Sequence, residues 1–241
     1  LVVVGMVVGD VVAWLLTPLS GARLHAPAGW VAWHGRLMVL GWNLMLPVGM
    51  LTARFFKIHR LRDWPAVLDR KPWWRTHVWV QCAGVGVMSL GIGVAFAHAG
   101  RADAVARAHH WVGWTVFGIG WLQVAGGTLR GSKGGPTSAT LHGDHYDMTR
   151  RRVAFEIVHK SAGWVALPLV VVGTGIGLVM ADAPRWMAML LAGWWVLLAV
   201  VFVGLQRAGR CFDTYQAIWG PDPVHPGNRR RPIGVGVRRL R

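Results

Sequence analysis

Hydrophobic positions in this chain gather into six long runs separated by short polar stretches. The runs cover roughly residues 1–17, 30–53, 76–98, 109–129, 154–180 and 187–206. Each comes near the length of about 20 residues that a helix needs to cross a bilayer core. The pattern predicts an all-α, polytopic membrane protein with six transmembrane helices. Asp10 lies in the middle of the first run and no small-residue cleavage site follows it, so the run reads as a helix and not as a signal peptide. No stretch is left over for a separate soluble domain.

Composition supports the same solvent. Of 241 residues, 54% are hydrophobic and 15% charged, mean hydropathy is +0.39, and there are 16 tryptophans. A soluble domain of this size would struggle to hide that apolar load. The net charge of +16 would suggest nucleic acid in a soluble protein, but the cations sit between apolar runs and in the tail, with no motif that reads RNA or DNA. They are better read as topology signals. Seven lysines and arginines lie between Arg54 and Arg75, six between Arg130 and Lys160, and eight from Arg207 onward, against Arg23, Arg101, Arg107 and Arg185 on the other side. The bias predicts that both termini are cytoplasmic. Trp30, Trp33, Trp73, Trp74, Trp111, Trp186, Trp194 and Trp195 fall where an interfacial aromatic belt is expected, and membrane lipid is the first partner. Cys82 and Cys211, in different surroundings, do not make a disulfide framework.

Six of the 11 histidines, His34, His77, His98, His109, His110 and His159, lie in or at the ends of apolar runs. Ionisable groups there are costly and point to function by default. His34, His77, His109 and His159 each stand near the N-terminal end of four successive runs. Successive helices are antiparallel, so these histidines fall at two depths. His34 meets His109 or its neighbour His110 near the outer face, and His77 meets His159 near the inner face. Two facing imidazoles in a helix bundle are what a b-type haem requires. A dinuclear metal site fits less well, because no carboxylate accompanies the pairs and Glu156 is the only acid nearby. Gly113 and Gly163 each lie four residues after a histidine, on its face of the helix, where a missing side chain lets a flat macrocycle approach.

The segments "HGRLMVLGWNLMLPVGMLTARFFK", "WWRTHVWVQ", "HHWVGWTVFGIGWLQVAGGTLR" and "RRRVAFEIVHKSAGW" together resemble the four core segments of the cytochrome b561 family, the transmembrane ferric-reductase-like domain, in its bacterial and DOMON-associated form. The resemblance covers about residues 30–180. It implies a four-helix dihaem core over 30–180, peripheral helices at 1–17 and 187–206, and a basic cytoplasmic tail at 207–241. It also implies two haems b, bound by His34 with His109 and by His77 with His159. Because the third histidine of the family stands four residues before a glycine, His109 is preferred to His110. His98 is then an interfacial residue, and His142 and His145, with Asp144 and Asp147, belong to a polar loop.

The expected function is electron transfer across the membrane, between a donor on one face and an acceptor on the other. Arg36 is a candidate partner for an outer haem propionate, while Arg75, Arg151 and Arg152 either serve the inner haem or mark the membrane boundary. Arg54, Lys57 and Arg60 form a cluster similar to the basic patch of ascorbate-using relatives, though positive-inside bias alone would place them there. The alternative reading is a haem-bearing anchor or accessory subunit of a larger respiratory or photosynthetic complex, with quinone reactivity a further variant. The tail, rich in proline, glycine and aromatic residues, would then dock on partner subunits or on anionic lipid. A bacterial inner membrane is the expected location.

Overall fold

The computed structural model describes residues 2–22, 27–98, 100 and 103–240. Arg23 and Arg101, two of the expected outer-face cations, lie outside the described residues. Helices dominate, and no strand longer than an isolated bridge occurs among the described residues. Helix α1 is Val2–Leu16. A long rod follows, made of α2 (Gly29–Met38), a π-helical stretch (Val39–Met45) and α3 (Leu46–Phe55). Then come α4 (Pro72–Phe96), α5 (Ala104–Thr128), α6 (Arg150–Met180), α7 (Arg185–Arg207) and the short α8 (Thr214–Trp219). Local chemistry sets several of these boundaries. Asp103 accepts a hydrogen bond from the Ala106 amide at 2.8 Å and starts α5, Thr149 caps α6, and Pro72 occupies the first turn of α4 where its missing N–H costs nothing.

Among the described residues four helical rods, 29–55, 72–96, 150–180 and 185–207, are long and apolar enough to cross a membrane. Six crossings were expected. As described, α1 spans only 15 residues, and α5, although 25 residues long, is diluted by histidine, glycine, threonine and glutamine. The outward faces carry bare Trp79, Trp111, Leu122, Leu190 and Val200, as suits helices solvated by lipid tails rather than water.

Glycines set how closely the 29–55 rod approaches α4. A Cβ on Gly41 would stand 2.9 Å from the Gly84 carbonyl oxygen, and one on Gly91 would stand 3.0 Å from Leu37 Cβ. Small residues let backbones pack this closely where no hydrophobic effect drives helices together. Gly173 and Gly177 of α6 serve α5 in the same way, beneath Val112 and His109. Midway along the bundle Trp42, Leu46, Val85, Met88, Val116, Ala166 and Val170 form a continuous apolar core.

Helix α7 is joined to the π-helical stretch by a buried polar knot. A π turn shifts the backbone bonding pattern and can free a carbonyl. The indole N–H of Trp194 donates to the Asn43 carbonyl at 2.6 Å, and that of Trp195 donates to Asn43 Oδ1 at 2.8 Å. Asn43 in turn donates to Thr174 Oγ1 at 3.0 Å. Both tryptophans therefore sit inside the bundle, not in the interfacial belt expected of them.

The connections 56–71 and 129–149 and the tail from Ala208 gather at one end, called the tail end below. Tyr146, Met148, Tyr215, Ile218 and Trp219 make an aromatic core there, so the tail folds onto its own chain. Three side chains from the bundle clamp its 233–237 stretch by backbone carbonyls. Lys160 Nζ donates to Ile233 O at 2.8 Å, Arg54 Nη2 to Val235 O at 2.7 Å, and Gln206 Nε2 to Gly236 O at 2.9 Å.

Candidate functional site

Four histidines face inward in two pairs. At the end opposite the tail, the rings of His34 (α2) and His109 (α5) have centroids 6.0 Å apart with planes at 78°. Near the tail end, those of His77 (α4) and His159 (α6) are 6.2 Å apart at 80°. His110, one position from His109, is exposed on the outer surface of α5. The apolar core lies between the two pairs.

One imidazole of each pair is oriented by a backbone carbonyl across the same helix interface. His34 Nδ1 bonds Gly91 O at 2.9 Å, and His77 Nδ1 bonds Gly49 O at 3.0 Å. A carbonyl only accepts, so each Nδ1 carries the proton and each Nε2 keeps a lone pair for a metal. The glycines that allow the close approach thus also present the carbonyls. Gly49 stands 15 residues beyond His34, which separates the two levels by roughly 22 Å at about 1.5 Å per residue.

The other two rings are less well satisfied. Nδ1 of His109 and of His159 is buried with no hydrogen bond, a deficit worth about 1–3 kcal/mol for a buried polar atom. The Gly173 carbonyl lies beside His109 without bonding it in good geometry. Both spacings agree with a metal held between imidazoles, since two bonds of about 2 Å plus the ring radii put the centroids roughly 6.3 Å apart. Among the described residues no three His, Cys, Asp or Glu side chains converge on one point.

A cavity of about 980 Å³ surrounds the His77 and His159 pair, at the upper end of the range for small-molecule and cofactor sites. Its apolar wall includes Trp42, Val85, Ile119 and Leu167. Gly163 forms part of the wall, and a Cβ there would approach Gln123 Nε2 to 3.3 Å and Met50 Cε to 3.4 Å. Two glutamines escaped the sequence reading. Gln123 Nε2 donates to His159 O at 2.8 Å, and Gln81, one turn after His77, donates to Leu46 O at 2.9 Å. At the other pair, a Cβ on Gly113 would meet nothing within 4 Å, whereas one on Gly177 would touch His109 Cε1 at 3.2 Å. Gly177 is the close neighbour that spacing along α5 did not reveal, because it arrives from α6.

The arginines are placed differently from one another. Arg36 is exposed and lies over Trp33, 5.2 Å from the ring centroid. Arg75 is exposed at the start of α4. Arg151 is exposed too, and donates to Leu129 O at 2.6 Å, closing the C-terminal end of α5. Arg152 is buried, lines the cavity, and bonds Glu156 Oε1 at 2.9 and 3.1 Å, while Lys160 takes Oε2 at 2.6 Å. His145 is buried beside this group. Burial, reinforced by Arg152, holds its imidazole down to about 3, so its 3.6 Å approach to Glu156 is not an ion pair at neutral pH. Asp144 and Asp147 are spent on the loop itself, binding Thr149 and the Gly143 amide.

The basic cluster at 54–60 is likewise engaged. Lys57 is buried, donates to the carbonyls of Arg54 and Phe212 at 3.1 Å each, and is pushed down to about 8 by burial. Arg54 holds Gln206 and the tail. Arg60 is left exposed.

No family model matches the chain, and no solved structure does. In sequence it is 28% identical over 145 residues to the "Cytochrome b561, DM13 and DOMON domain-containing protein" of Arabidopsis thaliana. The alignment takes in 60% of this chain and 14% of the plant protein, so the chain spans a small part of that relative's length. The chain is thus distantly similar to a protein that carries a cytochrome b561 domain.

Proposed function

We propose that the protein is a dihaem b-type cytochrome of the cytochrome b561 type that carries electrons across a membrane, His34 with His109 holding one haem and His77 with His159 the other. The observation that carries this reading is the pair of inward-facing histidine couples at two levels, 6.0 and 6.2 Å between centroids. The distant similarity to a cytochrome b561 protein favours the same cofactor. In this reading α1 and α5 cross the membrane with the four apolar rods, and the 29–55 rod, α4, α5 and α6 form the haem-binding core. Both termini and the tail end face the cytoplasm of a bacterial cell, as the lysine and arginine bias requires.

Haem iron, when bound, supplies one-electron chemistry at each level. The chain's own residues do the rest. Gly91 and Gly49 carbonyls fix the ring orientation and basicity of His34 and His77. Gly113 leaves open space on the face of α5 that carries His109, while Gly163 lets Gln123 and Met50 pack closely in the cavity wall beside His159. The apolar core around Met88 and Trp42 keeps water out between the levels. Arg36 and Arg75 are left free to meet anionic groups at the two ends, while Arg151 serves the end of α5.

A reading as a subunit or domain of a larger assembly is favoured by one finding. The similar plant protein carries its matching stretch inside a far longer chain, and an electron wire of this kind needs a donor and an acceptor beyond its own residues.

Quantitative haem assay of the purified protein tests the proposal. Two haems b per chain are expected, falling to one for His34→Ala or His109→Ala and to one, spectrally different, for His77→Ala or His159→Ala. His110→Ala keeps both. A wild-type chain with no haem, or with one, overturns the reading.

A further inference from the structure

The cavity around His77 and His159 holds more positive groups than its carboxylates balance. Asp69 is taken by Lys133 at 2.6 Å, and Glu156 by Arg152 and Lys160. Arg54 and Lys57 spend their donors on the tail and on backbone carbonyls. Arg70 reaches Asp63 at 3.7 Å and Lys71 stands exposed at the rim. Two less exposed groups facing the same cavity make no hydrogen bond among the described residues. Arg130, just past the end of α5, has no hydrogen bond or carboxylate among the described residues, and its guanidinium lies on the face of Trp74, 4.9 Å from the centroid. Burial, with the nearby Arg152, works against its charge, an arrangement that an anion between the two would relieve. His145 is buried, and its Nε2, 3.6 Å from Glu156 Oε1, has no hydrogen bond. The tail holds that ring in place, with Trp219 edge-on at 4.8 Å and Tyr215 at 6.3 Å.

A planar donor fork with open valence, a buried imidazole N–H and a second guanidinium behind them make a receptor for a carboxylate. We propose that Arg130 and His145, backed by Arg152, form a carboxylate-binding subsite at the tail end of the cavity, which receives a propionate of the macrocycle held by His77 and His159. The inference rests on the haem reading above and adds to it. The tail becomes a working part of the site, because Trp219 and Tyr215 fix the imidazole that meets the propionate. It also separates the roles of the neighbouring arginines, Arg152 being divided between Glu156 and the subsite while Arg151 closes α5.

Reconstitution with chemically altered haem tests it. A His34→Ala chain is stripped and titrated with haem b or with haem b dimethyl ester, whose propionates carry no charge. The ester is expected to bind roughly tenfold more weakly than haem b, the worth of one charge-assisted hydrogen bond. Arg130→Gln and His145→Gln should each weaken haem b by a similar factor and leave the ester within about twofold. The Arg130→Gln change should also lower the midpoint potential of haem b in this chain. Equal binding of haem b and its ester by the unsubstituted site, or losses in the variants that are the same for both, overturns the subsite. If the site reads a free carboxylate, haem b and ester bind alike and added propionate ion perturbs both spectra, which also overturns it. A His34→Ala chain that binds neither compound marks failure of the haem reading itself.

Discussion

A backbone carbonyl decides which nitrogen of His34 and of His77 carries the proton, and both carbonyls come from glycines at the same helix interface. Single residues matter at the tail end too. Lys57 is buried with its pKa down near 8, below the ordinary lysine value of about 10.4. Between about pH 8 and 10.4 the unfolded chain holds a proton that the folded chain has lost. Stability therefore rises with pH across that window, by up to about 1.4 kcal/mol per unit, and the gain vanishes as pH falls through 8. Melting in detergent should show this slope, and Lys57→Met should flatten it. An unchanged slope in the variant would remove Lys57 as its source.

At the level of elements, the 29–55 rod is held on two sides by different chemistry. Toward α4 the contact is close and glycine-lined. Gly41→Ala puts a methyl 2.9 Å from the Gly84 carbonyl, a backbone atom that cannot swing aside, and should cost about 1–3 kcal/mol. Gly49→Ala meets only the flexible end of Gln81 and should cost less than Gly41→Ala. Comparing the two melting temperatures checks the ranking. Toward α7 the contact is polar. Asn43→Leu strips acceptors or donors from Trp195 and Thr174 and should destabilise by about 1–3 kcal/mol, whereas Trp194→Phe, which frees only a carbonyl, should cost less. An Asn43→Leu chain as stable as wild type would show that the knot is dispensable.

Across the whole molecule the tail acts as a cover over the cavity end. Cys211, buried under it, reports on that cover. In a Cys82→Ser background, maleimide should label Cys211 slowly, and Arg54→Ala or Gln206→Ala, each releasing one clamp on the 233–237 stretch, should speed labelling roughly three- to tenfold. Rapid labelling without either substitution would mean that the tail does not stay closed.

Much of this organisation could be read from one-dimensional pattern. Long apolar runs, cations concentrated in alternate connections, and histidines near the starts of four successive runs are all properties of order along the chain. Antiparallel succession of helices converts that order into two depths, which is why His34 could be grouped with His109 or His110, and His77 with His159, before any coordinates. Rotation about a helix axis is also nearly readable, because neighbouring residues differ by about 100°. That is the difference between inward His109 and exposed His110.

Other features depended on contacts between distant segments, and no local signal carries those. Gly177 reaches His109 from another helix, Gly91 and Gly49 supply carbonyls across an interface, and Trp194 and Trp195 turn inward because a π-helical stretch offers Asn43 to them. The tail looked free to meet a partner because proline, glycine and arginine read alike in a docked strap and a solvated end. Its carbonyls found Arg54, Lys160 and Gln206. Sequence by itself determined which residues lie in apolar helices and at what depth, since both follow from local hydropathy and helix rise. Only the tertiary structure decided which carbonyl orients each imidazole, which cations are already paired, and that His145 and Arg130 are left facing a cavity, because those depend on side chains that meet far from their neighbours in the chain.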